Sequence, residues 1–345
     1  EAFIIDGFSP NLNKIPHVGH LRNLAVAKSI SEIFANAQMA ALLGTSLGEI
    51  EGARKEFIRY CSFLKYHPLI YTSDMMEDSQ SDAYRKVMGL LKDGEGEFEG
   101  CKIYEGPRGD VVAIRSNGKP TYLFHDLMFK EMVHPTHYIT GCEQQEHFKM
   151  LGLDKEHHQM GLVLGTDGKK LKSRDGLAML ASEMIGTVLS KLDTTPHKEE
   201  LAWNILAWNL LKISIETNAK LDLDNLVNPN SGGMYISYVY ARIASVFNKY
   251  GYNGKDANLK DLTESDIGLI GQAEYYTYYL QRAIDMFDPA PIANFALELA
   301  KILNQAYHHV TIKDAPPSTQ YAIMEANKTL KQTMEKLGMF ILEIV

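Results

Sequence analysis

The stretch that decides the fold lies near the start of the chain, where a short apolar run leads through a polar loop into a long periodic segment. It comprises Phe3-Ile4-Ile5, the loop Ser9-Pro10-Asn11-Leu12-Asn13-Lys14-Ile15-Pro16-His17-Val18-Gly19-His20, and a segment from about Gly19 to Asn36. A short apolar run bounded by turn residues favours a buried strand, and the loop predicts a turn into a helix. A strand, a loop and a helix in this order predict the first unit of an α/β sheet.

The segment that follows interrupts this pattern. Residues from about Glu49 to Gly94 favour helix, broken at His67-Pro68, because the residue before a proline avoids helical geometry. Lys102 to Leu123 alternates and contains glycine and proline turns, which predicts a hairpin or meander. We therefore expect an inserted subdomain at about residues 40–120.

The sheet pattern then resumes. Tyr138-Ile139-Thr140-Gly141 and Met160 to Leu164 favour strands, and Gln144 to Leu151 favours a helix between them. Strands that alternate with helices are typical of parallel sheets. The sequence therefore predicts a Rossmann-type doubly wound parallel sheet, within a domain at residues 1–200.

The remainder of the chain is of a different class. Long amphipathic segments, Met234 to Tyr250, Ile267 to Phe287 and Ile292 to Tyr307 among them, are separated by stretches rich in asparagine, glycine and proline. This pattern predicts an all-α helical bundle at residues 201–345.

Composition restricts the class of protein. The 345 residues are 45% hydrophobic and 23% charged, enough for a large core and two domains. The net charge of -8 argues against a general polyanion binder, although a local basic patch could hold one RNA. Cys61, Cys101 and Cys142 are scattered, which disfavours disulfides and zinc sites. Without a signal peptide or a long apolar run, we expect a cytoplasmic protein that does not enter a membrane.

Two histidines stand at the start of the first predicted helix. His17 and His20 are three residues apart, so both face one side of the helix and can share a ligand. Helix N-termini attract phosphate, and Gly19 permits close approach because it has no side chain. This indicates a nucleotide site, although the pattern alone also fits surface or capping histidines.

A basic turn, Thr166-Asp167-Gly168-Lys169-Lys170-Leu171-Lys172-Ser173-Arg174-Asp175-Gly176, has four cations within six residues. Cations on such a turn suit a displacement at phosphorus, in which charge builds on the leaving pyrophosphate. By itself, the turn is also typical of a solvated surface loop.

Together, and in this order, the histidine pair and the basic turn resemble the two ATP signatures of class I aminoacyl-tRNA synthetases. The stretch from Ser9 to Arg22 resembles the arginyl-tRNA synthetase form of the first signature. Gly168 to Gly176 is similar to the degenerate second signature of that family, and Gly233 to Ile243 to the segment that opens its anticodon-binding domain. The resemblance covers nearly the whole chain.

The resemblance implies three sets of site residues. Arginine would be bound by Asp6, Ser9, Asn11, Tyr122, Asp126 and Gln144. ATP would be bound by His17, Gly19, His20, Gly161, Lys169, Lys170, Lys172, Ser173 and Arg174, with Lys14, His17, His20 and Lys172 as the catalytic residues. Transfer RNA would be bound by Tyr235, Tyr238 and Arg242. Asp126 would pair with the guanidinium in two parallel hydrogen bonds, covered by Tyr122, and so select arginine over lysine.

The implied activity is that of an arginine–tRNA ligase. It would activate arginine with ATP and its Mg²⁺ to arginyl-adenylate and transfer arginine to the 3′ end of tRNA, as a monomer with no metal site of its own. The resemblance is to a compact form without the family's N-terminal tRNA-elbow domain. Two alternatives remain: a paralogue with a non-tRNA acceptor, and a weakly catalytic tRNA-binding relative. Phe124-His125 replaces the family's usual Thr-Arg, and Gln38 to Gly48 matches it poorly.

Overall fold

The computed structural model describes residues 3–192 and 195–344, and the chain divides into two compact units. The first unit comprises residues up to 27 and 35–162, and the second comprises residues 28–34 and those from 163 onward. The predicted domain ranges 1–200 and 201–345 stay a prediction. In chain order, the first unit has β1 (Ile4–Asp6), the first part of α1 (Val18–Ile33), β2 (Gln38–Leu43), α2 (Ala53–Phe63), β3 (Leu69–Thr72), α3 (Asp82–Gly89), β4 (Leu91–Asp93), β5 (Lys102–Gly106), β6 (Gly109–Ile114), α4 (Tyr122–Val133), β7 (His137–Gly141), α5 (Gln145–Met150) and β8 (His157–Met160).

The first unit is built on a five-stranded sheet in the order β3-β2-β1-β7-β8. Every neighbouring pair in it is parallel, with Asp6 in register with both Ala40 and Tyr138. The strand order reverses direction between β1 and β7, and that switch point is where open parallel sheets bind ligands. The predicted doubly wound parallel sheet is confirmed.

The core beside this switch point is centred on α4. Phe124, Leu127, Met128 and Phe129 of α4 are buried against apolar side chains of the sheet, among them Tyr138. Close packing leaves a buried helix face little freedom to shift. The core therefore holds α4 in place, and with it the polar side chains on the face of α4 that does not pack in the core.

Part of the secondary structure predicted for residues 49–94 was wrong. β3 at Leu69–Thr72 and β4 at Leu91–Asp93 lie in this segment, which favoured helix by its sequence. β3 contains the apolar residues Leu69-Ile70-Tyr71, but it is a half-exposed edge strand of only four residues, and an apolar run this short does not distinguish strand from helix. β4, β5 and β6 form a separate antiparallel sheet, which confirms the predicted hairpin at its β5–β6 part.

The second unit is mainly helical. Its elements are β9 (Val163–Gly165), α6 (Ala181–Lys191), α7 (Lys198–Leu211), β10 (Ala219–Leu221), α8 (Gly232–Tyr250), α9 (Glu264–Met286), α10 (Ala290–His309) and α11 (Pro317–Lys336). β9 and β10 pair in parallel as a separate two-stranded sheet. The strand predicted at residues 160–164 is thus divided between the end of β8 and the start of β9. The three long helices named from the sequence correspond to α8, α9 and α10.

Helix α7 of the second unit has ten of its 14 side chains buried. Its Asn204 amide donates to the Phe340 carbonyl at 2.8 Å and to the Ser237 hydroxyl at 3.1 Å, and its oxygen accepts from the Phe340 N–H at 2.6 Å. Trp203 Nε1 donates to the Gly338 carbonyl at 2.9 Å. These bonds satisfy polar groups of α7 that are buried among its apolar side chains. Within residues 3–192 and 195–344, no helix is both long and apolar enough to span a membrane.

Candidate active site

A cavity of about 290 Å³ opens in the first unit where β1 and β7 end. All six residues predicted to bind the amino acid line it, although they lie between residues 6 and 144 of the sequence. Its lining consists of Asp6, Ser9, Asn11, Leu42, Gly44, Ser73, Tyr122, His125, Asp126, Thr140, Gln144, His147 and Phe148. The structure thus brings the whole predicted set together at the switch point of the sheet.

Asp6 is the most perturbed acid of the cavity. It is the last residue of β1 and only 5% exposed. The pKa of its carboxyl is raised to about 7, mainly by burial; a hydrogen bond from Ser9 lowers it and the charge of Asp126 raises it by smaller amounts. The Ser9 hydroxyl donates to Asp6 Oδ1 at 2.5 Å and accepts from the Leu42 N–H at 2.8 Å. Asp6 is therefore held in one orientation at the base of the cavity.

Asn11 is held beside the end of β2. The Gly44 N–H donates to the Pro10 carbonyl at 3.1 Å, and the Leu12 N–H donates to the Gly44 carbonyl at 2.8 Å. A Cβ atom at residue 44 would lie 1.9 Å from Asn11 Oδ1, so only glycine leaves room for this side chain. Gly44 was not predicted as a site residue. Its position in the sequence is informative, because a glycine directly after the apolar run of β2 indicates the end of a strand.

Helix α4 presents Tyr122 and Asp126 to the cavity from one face, since they are four residues apart. Asp126 is partly exposed, and its Oδ2 lies 2.5 Å from His147 Nε2 on α5. Its neighbour His125 is buried, with Nε2 2.9 Å from Glu77. Gln144, at the end of a 3₁₀ turn after β7, completes this wall.

His17 and His20 stack at the start of α1, with their ring centroids 3.9 Å apart. Nδ1 of His20 accepts from the His17 N–H at 3.1 Å, and Nδ1 of His17 accepts from the Gly19 N–H at 3.0 Å. Burial, followed by the charges of His17 and Lys14, lowers the pKa of His20 to about 3. A neutral imidazole whose Nδ1 accepts carries its proton on Nε2, so each ring has an Nε2–H donor.

Of two further predicted site residues, Lys14 is exposed to solvent and Gly161 is tied to a buried arginine. Lys14 is exposed on the loop before α1. Gly161 follows β8, and its carbonyl accepts a hydrogen bond at 2.8 Å from Arg22, whose side chain is buried in the first unit. This bond fixes the end of β8 to α1.

The basic turn belongs to the second unit, where it forms two successive tight turns. Gly168 and Gly176 have φ values of 75° and 84°, which a residue with a side chain adopts only with strain. The Gly165 N–H donates to the Lys169 carbonyl, and the Ser173 N–H donates to the Leu177 carbonyl, both at 2.8 Å. Exposed cations are carried by Lys169, Lys170, Lys172 and Arg174. The turns are hydrogen-bonded structures that hold these cations in solvent.

Helix α8 carries the three residues predicted to bind RNA on one face, at Tyr235, Tyr238 and Arg242. The Arg242 guanidinium donates to Asn304 at 3.3 Å and lies over the Tyr307 ring at 5.3 Å, both on α10. Tyr238 and Arg242 also line a cavity of about 420 Å³. Asn304 and Tyr307 could not be predicted from the sequence, because their contact with α8 is purely tertiary.

Comparisons with known proteins agree with these observations. Residues 236–344 match the DALR anticodon binding domain model. The chain is 26% identical over 312 residues to an arginine–tRNA ligase of Streptococcus suis, and 27% identical over 314 residues to one of Streptococcus thermophilus. Each of these alignments covers 80% of this chain and 55% of the relative. The resemblance to arginyl-tRNA synthetases is confirmed.

Solved arginyl-tRNA synthetases have the same fold as this chain. The enzyme of Thermus thermophilus aligns with a TM-score of 0.76 at 16% identity, covering 100% of this chain and 82% of its own. That of Plasmodium falciparum aligns with a TM-score of 0.74 at 17% identity, covering 100% and 77%. The chain spans about half the length of the curated arginine–tRNA ligases that it matches.

Several cavity residues stand outside the set implied by the arginyl-tRNA synthetase resemblance. Ser73, Thr140 and His147 line the cavity with Gly44 and His125. Ser73 comes from the segment that favoured helix, and Thr140 and His147 lie in a predicted strand and a predicted helix. Only the strand register and the position of α5 show that these side chains reach the cavity.

Proposed function

We propose that this chain is an arginine–tRNA ligase, which activates arginine with ATP to arginyl-adenylate and transfers the arginyl group to the 3′ end of tRNA. The observation that carries the proposal is the convergence of six residues, spread from Asp6 to Gln144, on one cavity at the switch point of a parallel sheet. The relatives and solved structures that the chain resembles bear the same activity in their names.

The chemistry of the cavity fits arginine. A volume of about 290 Å³ suits a ligand of amino-acid size. The cavity has two separate carboxylates, Asp6 and Asp126, for the two cationic ends of arginine. Asp6 is proposed to bind the α-ammonium group, and Asp126 the guanidinium in two parallel hydrogen bonds. Asn11 and Gln144 would add polar contacts, and Tyr122 would cover the guanidinium.

The histidine pair is proposed to stabilise the transition state of activation. The arginine carboxylate attacks the α-phosphorus of ATP, the bond to the bridging oxygen breaks, and pyrophosphate leaves, without a covalent enzyme intermediate. Nε2–H donors on His17 and His20, at a helix N-terminus, suit the negative charge that builds on the phosphoryl oxygens. A neutral His20 needs no proton transfer to act in this way.

Cations and Mg²⁺ are proposed to balance the charge of the phosphates. Lys14, Lys169, Lys170, Lys172, Ser173 and Arg174 are the proposed phosphate ligands, with Gly19 and Gly161 as backbone contacts to ATP. The described part of the chain holds no group of three or more His, Cys, Asp or Glu residues arranged to bind a metal. Phosphate oxygens supply the oxygen ligands that Mg²⁺ prefers, so the ion would arrive with ATP.

Transfer RNA is proposed to bind the second unit. The match of residues 236–344 to an anticodon binding domain supports this, and so does the aromatic and basic face of Tyr235, Tyr238 and Arg242 on α8. Aromatic rings bind unpaired bases by stacking, and a guanidinium pairs with a backbone phosphate. The proposal includes a monomeric, cytoplasmic enzyme.

ATP–pyrophosphate exchange with each of the twenty amino acids, run with and without total tRNA, tests the proposal. Only arginine should support exchange, tRNA should then accept it, and His20→Ala should reduce exchange about 100-fold or more. The exposed His67, which does not line the cavity, gives the control His67→Ala, which should leave exchange unchanged. Exchange with arginine but no transfer to tRNA would indicate a paralogue with another acceptor. Binding of tRNA without exchange would indicate a non-catalytic relative.

A further inference from the structure

A hydrogen bond between His147 and Asp126 joins two side chains that line the cavity. His147 Nε2 lies 2.5 Å from Asp126 Oδ2, and both side chains are about one-third exposed to the cavity. The two residues come from different elements, α5 and α4, so the contact depends on the tertiary fold. We propose that His147 is a specificity-determining positioning residue, which orients the Asp126 carboxylate for a guanidinium and against a simple ammonium. This inference rests on the proposed arginine-activating function.

The donor in this contact is the histidine. An ionised carboxylate only accepts hydrogen bonds, so His147 must carry a proton on Nε2. A neutral imidazole meets this requirement and leaves the negative charge of Asp126 available to a cationic ligand. A histidine in this form orients the carboxylate without neutralising it.

The contact occupies only part of Asp126. Each carboxylate oxygen has two lone pairs, so Oδ2 keeps one and Oδ1 keeps both. Residues 3–192 and 195–344 provide no hydrogen bond to Oδ1. Two parallel N–H groups of a guanidinium can then bind both oxygens, provided that the carboxylate plane faces them. Without His147, the carboxylate would rotate about its side-chain bonds.

His147 is itself held in place. Its ring meets the ring of Phe148 edge to face, with centroids 5.8 Å apart. Phe148 is buried, stacks on His157 at 4.2 Å and packs in the core around α4. His157 in turn is 2.6 Å from the Thr140 hydroxyl at the end of β7. The position of His147 is thus fixed by the same core that fixes Asp126.

Orientation matters more to arginine than to lysine. A guanidinium is planar and binds a carboxylate through two N–H groups in a fixed fork, whereas an ammonium is a point charge with rotatable donors. A freely rotating Asp126 would still attract lysine but would bind arginine less well. His147 accordingly contributes to the choice between the two amino acids.

Four proteins test the inference as full chains: wild type, His147→Ala, His147→Gln and the control His67→Ala. Glutamine can place an N–H near the position of the imidazole Nε2, and alanine cannot. Calorimetric Kd for arginine, and KM and kcat for arginine and lysine in ATP–pyrophosphate exchange, are measured for each. If His147→Ala does not fold, His147→Leu replaces it, because leucine fills space but donates no hydrogen bond.

His147→Ala should raise Kd and KM for arginine about tenfold, as expected for loss of a bond to a charged group, with kcat changed by less than about twofold. Its preference for arginine over lysine should fall, and His147→Gln should restore most of both. Unchanged Kd and preference in His147→Ala, or equal losses in His147→Gln and His147→Ala, would overturn the inference. A wild-type protein that neither binds nor activates arginine would refute the proposed function, and this inference with it.

Discussion

Under the proposed function, the raised pKa of Asp6 should make arginine binding depend on pH in a range where most carboxylates do not titrate. Burial is the main cause, and it moves the pKa from an ordinary value of 3.8 to about 7. A shift of this size is roughly 4 kcal/mol of difference between the charged and neutral forms. An α-ammonium ligand requires the charged form. We therefore expect arginine affinity to fall about tenfold between pH 8 and pH 6.

Binding should also release protons. The ammonium group, together with a guanidinium that neutralises Asp126, lowers the pKa of Asp6, so about half a proton should leave per arginine bound at pH 7. Calorimetry in two buffers that differ in ionisation enthalpy measures this number directly. Asp6→Asn keeps the shape of the side chain and should abolish both the proton release and the pH dependence of the remaining binding. The control is Asp154→Asn, at an exposed aspartate of the same unit.

Stability should follow the opposite course to binding. Between pH 3.8 and about 7, folded Asp6 keeps a proton that the unfolded chain has lost. Its contribution to the free energy of unfolding is therefore complete below pH 3.8 and is lost as pH rises through about 7. Asparagine does not titrate, so the free energy of unfolding of Asp6→Asn should not contain this pH-dependent loss. The variant should therefore be more stable than the wild type at pH 8 in urea unfolding. Arginine affinity that is constant from pH 6 to pH 8, with no proton release, would refute the reasoning.

Three further predictions test other parts of the structure. Gly19→Ala would place a Cβ 2.8 Å from the imidazole of His17 and displace that ring. ATP–pyrophosphate exchange should therefore fall about tenfold, while the melting temperature changes little. Gly233→Ala would place a Cβ 2.2 Å from a backbone carbonyl oxygen of α7, so a thermal melt should show that the free energy of unfolding falls by about 2 kcal/mol. The control Gly268→Ala lies in open space on α9 and should leave the stability unchanged or raise it. Arg242→Gln should weaken tRNA binding and reduce the slope of log affinity against log salt by about 1, measured by filter binding, and an unchanged slope would exclude a phosphate contact.

The elements that could be predicted from the sequence are those with a local signal. β1 and α1 follow from an apolar run, a turn loop and helical periodicity within residues 3–36. α8, α9 and α10 have amphipathic patterns that are too long for a strand, so they indicate helices without ambiguity. β3 has a short apolar run, Leu69-Ile70-Tyr71, but a run of this length is compatible with either a helix or a strand, and its exposed edge position adds no alternation that would decide.

The candidate site shows the same division. Asp6, Asn11 and Asp126 were named from motifs, and the structure places all three at one cavity. The bond between His147 and Asp126 could not be predicted, because it depends on how α5 lies against α4. The pKa of Asp6 could not be predicted either, since burial of a strand end depends on what packs over it.

The bonds that α7 makes to residues 338–340 bear on how the protein can be engineered. Trp203 and Asn204 hold backbone groups of Gly338 and Phe340 inside the second unit. A deletion that removes residues from 338 onward would leave the buried indole N–H of Trp203 without its acceptor. It would also remove both bonds between the Asn204 amide and Phe340 and leave only the bond to Ser237, at a cost of about 1–3 kcal/mol for each group left unsatisfied. Affinity tags and fluorescent reporters should therefore be attached beyond Phe340, through a linker that leaves this segment in place.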